Sequence, residues 1–173
     1  MKRGLLIVYT GNGKGKTTAA FGLAFRAVGQ GLRVGVLQFL KGPWPSGEWT
    51  AAQAFPNLLD GQTLGRGFTW TSENLAEDTR LAREGWERAC TLIHANRYDL
   101  LVLDELTYLM KYRMVPVAEI LPVLLNRPPS LHVVVTGRDA PPELIEAADL
   151  VTEMRAVKHP FDQGLAAQKG IEF

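Results

Sequence analysis

Thr10-Gly11-Asn12-Gly13-Lys14-Gly15-Lys16-Thr17-Thr18 decides the reading of this chain. The apolar run Leu5-Leu6-Ile7-Val8-Tyr9 precedes it, and a segment of helical character, Ala19 to Val28, follows. Strand, glycine loop and helix in that order are the context of a phosphate-binding loop. Glycines at 11, 13 and 15 let backbone amides turn toward an anion with no Cβ in the way. A helix beginning near Lys16 adds free N–H groups and the positive end of its dipole. Lys16 would neutralise phosphate oxygens, and the Thr17 hydroxyl would ligate an accompanying magnesium ion. The usual pattern, G-x-x-x-x-G-K-[ST], has a glycine where this chain has Thr10, so the loop keeps Gly-Lys-Thr and departs at its start. A bare glycine turn would not need two lysines and this framing. A dinucleotide fold would need glycine in place of Lys16 and an acid farther on.

Outward from the loop, strands alternate with helices. Gly29-Gln30-Gly31 closes the first helix. Arg33–Phe39 is apolar on both faces, which predicts a central, parallel strand. Lys41–Gly47 is a surface loop, Glu48–Phe55 a short helix and Gln62–Leu64 a short strand. Ser72 is placed to cap a long helix through Asn96, with Ala82, Trp86, Ala89, Cys90 and Ile93 as its inner stripe. Tyr98–Glu105 is a strand with an acidic end. Leu106–Tyr112 and Val117–Leu125 are helical, Leu131–Thr136 is a strand, Pro142–Ala148 a helix and Leu150–Met154 a fifth main strand before an irregular tail. This pattern predicts an α/β, P-loop NTPase-like (RecA-like) three-layer fold: a mainly parallel central sheet with helices on both faces, one domain over residues 1–173.

Bulk properties narrow the classes. The length of 173 residues suits one domain, and 46% hydrophobic with 21% charged residues is ordinary globular composition. A net charge of +1 gives no reason to expect nucleic acid or an acidic membrane as partner. The apolar run after Lys2-Arg3 is too short for a signal peptide, and no run approaches the ~18 residues of a membrane span. The single cysteine, Cys90, excludes an internal disulfide and reads as a core residue. The cytoplasm is the expected address.

Asp104-Glu105 ends an apolar strand and so lies at the same sheet edge as the phosphate loop. Beside such a loop it reads as a magnesium (or manganese) site with Thr17, rather than as a solvated helix start. To this point the residues indicate a metal–nucleoside-triphosphate site and leave its purpose open.

Three further stretches bear on purpose: Gln38-Phe39-Leu40-Lys41-Gly42, Gly65-Arg66-Gly67-Phe68-Thr69-Trp70, and the tail with Lys158-His159-Pro160-Phe161 and Gly164–Phe173. Together with Gly11–Thr18, Val102–Leu106 and Thr136-Gly137-Arg138, they resemble the CobA/BtuR/CobO-type corrinoid adenosyltransferases from about Gly4 to Phe173. The resemblance implies transfer of the 5′-deoxyadenosyl group of ATP to cobalt(I) of cobalamin or another corrinoid, with release of triphosphate, in adenosylcobalamin biosynthesis or salvage. Cobalt(I) is then the nucleophile, and the protein aligns the ribose carbon and stabilises a highly charged leaving group.

The resemblance implies ATP contacts from Gly11, Asn12, Gly13, Lys14, Gly15, Lys16, Thr17, Thr18 and Arg138. Metal contacts would come from Thr17, Asp104 and Glu105. Corrinoid contacts would come from Lys41, Arg66, Phe68, Trp70 and His159, while Lys16, Phe68 and Trp70 would carry catalysis. ATP would lie reversed relative to most phosphate-loop enzymes, exposing its ribose. Phe68 and Trp70, which by residue type alone would be core packing, would instead exclude the lower axial cobalt ligand. Electrons would come from an external donor, a flavoprotein reductase, since one cysteine and three scattered histidines cannot hold an iron–sulfur cluster. His94 and His132 receive no role. A homodimer is implied. Longer members carry an N-terminal arm that helps cover the corrinoid, so less enclosure is expected here. A γ-phosphate-cleaving ATPase or kinase, and a nucleotide-dependent binding module, remain as alternatives.

Overall fold

The structure is a computed structural model that describes residues 3–42, 46–64 and 75–172. Six strands form its centre: β1 (Leu6–Thr10), β2 (Val34–Gln38), β3 (Leu59–Thr63), β4 (Leu100–Asp104), β5 (His132–Thr136) and β6 (Leu150–Glu153). Their spatial order is β3-β2-β4-β5-β1-β6, and every pairing is parallel. β2 and β4 are buried at all five positions, as strands covered on both faces must be. β6, an edge strand, is exposed throughout and carries Thr152 and Glu153, the polar character that keeps an edge from pairing further.

Helices α1 (Lys16–Gly29), α2 (Gly47–Ala52), α3 (Leu75–His94), α4 (Thr107–Lys111), α5 (Val117–Leu125) and α6 (Pro142–Ala147) cover the two faces. Strand alternation sorts the core. Val34, Val36, Val102 and Val134 meet Ala20, Phe21, Ala24 and Val28 of α1. On the other face Leu37, Leu101, Leu103, Val133 and Val135 pack with Trp86, Ile93, Leu109, Ile120, Leu124 and Leu144 of α3 to α6. Each such leucine or isoleucine contributes about 1.5–3 kcal/mol by burial. The three-layer α/β expectation is borne out, and β2 is central and parallel as its two apolar faces required.

Differences are local. β3 starts three residues before the expected strand and pairs parallel with β2 from Val34↔Leu59 to Gln38↔Thr63, making a sixth strand. Its sequence, Leu-Asp-Gly-Gln-Thr, buries only Leu59, so hydrophobic alternation could not announce it. α2 stops at Ala52, short of Phe55. α3 ends at His94, and Asn96 turns out of it with φ 50°. Its expected cap, Ser72, lies outside the described residues.

The ends of β1, β4 and β5 gather at one edge of the sheet. Chain reversal after each strand brings the first loop, the acidic pair and Thr136–Arg138 together there, where open parallel sheets bind ligands. At the opposite edge Arg127 donates to the carbonyls of Leu124, Leu131 and Gly4, tying α5 to the starts of β5 and β1.

Candidate active site

The phosphate loop is shaped by two glycines in conformations other residues adopt at a cost. Gly11 (φ 95°) turns the chain off β1, and Gly15 (φ 112°) is the N-cap of α1. Gly15 offers no side chain, and the first turn of α1 carries no acid, so its leading amides are not capped by a side chain. Such amides, with the helix dipole behind them, favour an anion. Gly13 is required for a different reason. A Cβ there would come within 2.7 Å of the Arg155 carbonyl carbon and oxygen. The backbone approaches closely because the Gly13 N–H donates to the Met154 carbonyl at 2.7 Å.

Both loop lysines are engaged by the protein itself. Lys16 Nζ donates to the Gly11 and Gly13 carbonyls, each at 2.7 Å, which folds it along the loop. Burial and the Arg138 charge press its pKa below the ordinary lysine value, while Glu105 and Asp104 act in the opposite sense. Lys14 pairs with the Glu172 carboxylate and donates to the Ile171 carbonyl at 3.1 Å, so the tail lies over the loop.

Behind the loop stands Asp104, wholly buried. Its Oδ1 accepts from Thr17 Oγ1 (2.9 Å) and Thr136 Oγ1 (2.6 Å), and its Oδ2 accepts from Gln38 Nε2 (2.9 Å). Thr17 spends its hydroxyl proton on Asp104 and so presents only lone pairs outward. Glu105 follows in a left-handed conformation, φ 64°, with its N–H donating to Thr136 Oγ1 at 2.9 Å. That kink carries a non-glycine residue at a cost of roughly 1–2 kcal/mol. Burial, and then the Asp104 charge, push the Glu105 carboxyl from 4.5 up to about 7, against the pull of Lys41, Lys16 and Arg138. Among the described residues, no group of three or more His, Cys, Asp or Glu could hold a metal by itself.

These groups open on a cleft of about 630 Å³. Lys14 to Thr18 form one wall, and Lys41, Glu105 and Arg138 contribute charge. Helix α2 contributes Gly47, Glu48 and Ala51, while Phe25 and Tyr108 add aromatic surface. Of the residues singled out from sequence, Lys14, Gly15, Lys16, Thr17, Thr18, Lys41, Glu105 and Arg138 are thus brought together on the cleft. Asp104 stands behind it, Gly11 and Gly13 shape the loop from the rear, and Asn12 is exposed. His159 is not among the cleft-lining residues; its Nδ1 accepts from the Phe161 N–H at 3.2 Å and caps the 3-10 turn Pro160–Gln163. Arg66, Phe68 and Trp70 lie outside the described residues.

Sequence reasoning gave no individual role to the residues that hold the site. Gln38, Thr136 and Trp49 surround Asp104 or its partners, and Met154 with Glu172 lines the loop. Only Gln38 left a signal: an uncharged polar side chain closing an otherwise apolar, fully buried strand.

Comparison with known proteins adds the following. The family described as ATP:corrinoid adenosyltransferase BtuR/CobO/CobP matches residues 2–173. The corrinoid adenosyltransferase of Escherichia coli K12 is 46% identical over 172 residues, covering 99% of this chain and 87% of the relative. Corrinoid adenosyltransferase CobA of Salmonella typhimurium is 45% identical with the same coverage. The Pseudomonas aeruginosa corrinoid adenosyltransferase is 45% identical over 99% of this chain and 85% of its own length. Among solved structures, the flagellar accessory protein FlaH of Methanocaldococcus jannaschii superposes with a TM-score of 0.58 at 11% identity, covering 88% of this chain and 72% of that one. That likeness concerns the fold alone.

Proposed function

This chain belongs to the ATP:corrinoid adenosyltransferase family BtuR/CobO/CobP, and from that premise we infer how its own cleft performs the transfer. The enzyme moves the 5′-deoxyadenosyl group of ATP to cobalt(I) of a corrinoid and releases triphosphate. The bond formed is cobalt to ribose C5′, and the bond broken is C5′ to the α-phosphate oxygen, whose electron pair leaves with triphosphate. The observation that carries this reading is the side-chain-free N-terminus of α1 flanked by Lys14, Lys16 and Thr17 on a cleft that also holds Lys41 and Arg138. It is built to receive a polyanion, and the charge that most needs stabilising in this reaction is that of the departing triphosphate.

The residues divide as follows. Amides of Gly11, Asn12 and Gly15, with Lys14, Lys16, Thr17 and Thr18, grip the triphosphate, while Gly13, whose own amide is held by the Met154 carbonyl, sets the shape of the loop. Lys16 leaves the Gly11 and Gly13 carbonyls to do so, and Lys14 leaves Glu172. Arg138 and Lys41 face the same space and act on the nucleotide or the corrinoid side chains. Phe68 and Trp70, with Arg66, meet the corrinoid, the two aromatics excluding the lower axial ligand so that cobalt(II) is more easily reduced. His159, occupied in its cap, is the weakest member of that set.

Magnesium or manganese fits the donors present. Thr17 offers lone pairs, Glu105 is a carboxyl whose buried position a cation would relieve, and all are hard oxygens. Thr17 and Glu105 would hold the ion, and Asp104 would fix Thr17. Bound there, the ion would neutralise charge on the triphosphate.

We read the whole chain as one catalytic domain that works in the cytoplasm as a homodimer and draws electrons from a flavoprotein reductase. No helix of the described residues is long and apolar enough to cross a membrane.

Product analysis tests the function. With ATP and chemically reduced cobalamin under anaerobic conditions, the enzyme should yield adenosylcobalamin and triphosphate in equal amounts, and folded Lys16→Ala should yield neither. ADP with phosphate, or full activity of Lys16→Ala, would refute the assignment.

A further inference from the structure

Asp104 is held by a chain of hydrogen bonds that leads away from the phosphate loop. Gln38 is its register partner across β2 and β4, is wholly buried, and donates from Nε2 to Asp104 Oδ2 at 2.9 Å. The other end of the amide, Oε1, accepts from Trp49 Nε1 at 2.8 Å. The chemistry of the two ends fixes the amide's orientation. An indole N–H can only donate, and an ionised carboxylate can only accept. The Gln38 oxygen must therefore face Trp49 and its NH2 must face Asp104.

Trp49 is itself held. Its ring meets Phe21 of α1 edge-on, with centroids 5.7 Å apart. It also covers Gly61 of β3, where a Cβ would fall 2.3 Å from Trp49 Cη2. Its helix α2 begins at the Ser46 cap, and the neighbours of Trp49 on α2, namely Glu48 and Ala51, line the cleft. The same helix thus faces the substrate space and anchors the far end of the Asp104 network.

We propose that Trp49 and Gln38 are positioning residues for the transfer reaction, acting in series to hold Asp104 so that Thr17 offers its lone pairs to the metal–nucleotide. The proposal rests on the reading of Thr17, Asp104 and Glu105 as the metal side of the site. Removing the indole N–H leaves the Gln38 oxygen without its donor and the amide anchored at one end only, so its NH2 is less firmly aimed at the Asp104 carboxylate. Asp104 relaxes, Thr17 loses its fixed orientation, and the metal-dependent part of nucleotide affinity falls. Affinity that does not depend on metal, from the loop amides and Lys16, is untouched because those groups make no contact in this chain of bonds.

The experiment is calorimetric ATP binding over a magnesium series and in chelator, with melting curves, for Trp49→Phe, Gln38→Met, their combination and Asp104→Asn. Trp49→Phe keeps an aromatic ring beside Phe21 and deletes the donor together with the ring edge that covers Gly61, and the melting curve registers that packing loss separately from the magnesium midpoint. It should raise the magnesium concentration for half-maximal binding about five- to tenfold, the effect of one net hydrogen bond, and leave binding in chelator unchanged. Gln38→Met should do the same, and the combination should add little, since Trp49 acts through Gln38. If Trp49→Phe does not fold, Gln38→Met decides by the same readout. An unmoved magnesium midpoint in the single variants, with a shifted one in Asp104→Asn, would overturn the series and spare the site. Additive losses in the combination, or equal losses with and without magnesium, would reduce Trp49 to packing and also overturn it. An unmoved midpoint in Asp104→Asn would remove the reading of the acidic pair on which the proposal stands.

Discussion

Glu105 ties the folding of this protein to pH in a direction opposite to most surface carboxylates. Burial and the adjacent Asp104 raise its pKa from 4.5 to about 7 in the folded chain. That change corresponds to about 3 kcal/mol of preference for the protonated form. Below pH 4.5 both folded and unfolded chains hold the proton, and Glu105 costs nothing. Between 4.5 and about 7 the folded chain keeps a proton that the unfolded chain has lost, so stability falls as pH rises. Above about 7 the full penalty is present and the contribution is flat. Glu105→Gln stays neutral throughout and should match the parent near pH 4, then exceed it by up to about 3 kcal/mol at pH 8. The assay is denaturant unfolding of both proteins from pH 4 to 8, without nucleotide and with chelator. Titrating groups that do not interact with Glu105 cancel in the difference. A difference that is constant with pH, or a variant less stable than the parent above neutrality, would refute the account of this carboxyl.

Two further predictions concern the loops. Gly13→Ala should displace the phosphate loop from Arg155, where its Cβ would otherwise sit 2.7 Å from backbone atoms. We expect a loss of about 1–3 kcal/mol in stability and a larger, separable loss of ATP binding by calorimetry; unchanged ATP affinity would show that the contact with Arg155 is not part of the site. Phe68→Ala and Trp70→Ala should lower turnover steeply from cobalt(II) and little from chemically prepared cobalt(I), with ATP affinity retained. Equal losses on both substrates with a marked fall in melting temperature would assign these aromatics to packing, where truncation costs about 3–5 kcal/mol.

What the sequence revealed follows from physical range. The phosphate loop and its strand–helix framing are local, and the alternation of β4 and β5 with helices is written in runs such as Leu100–Leu103 and Val133–Val135. Placing Asp104 beside Thr17 needed only the rule that strand ends meet at one edge, and the hydrogen bond of 2.9 Å between them agrees. The partners of Asp104 were hidden because Gln38 and Trp49, on the consecutive elements β2 and α2, lie far in the chain from both Asp104 and Thr136, and no local pattern relates them. Strand β3 was half hidden because backbone pairing with β2, rather than an apolar face, holds it in the sheet. The raised pKa of Glu105 depends on burial beside Asp104, a property of the assembled site.

The Met154 carbonyl that receives the Gly13 amide stands far downstream of it in the chain, just after β6, which pairs with β1 from Ile7↔Leu150 to Thr10↔Glu153. Order of synthesis therefore runs against order of assembly. The glycine loop is translated well before β6, but its Gly13 amide finds the Met154 carbonyl only when that strand arrives, and Lys14 finds its carboxylate only when Glu172 does. ATP can lend its binding energy only to a chain in which β6 has reached β1. Nucleotide should accordingly protect β6 from proteolysis as strongly as it protects the loop, although β6 lends the cleft no side chain.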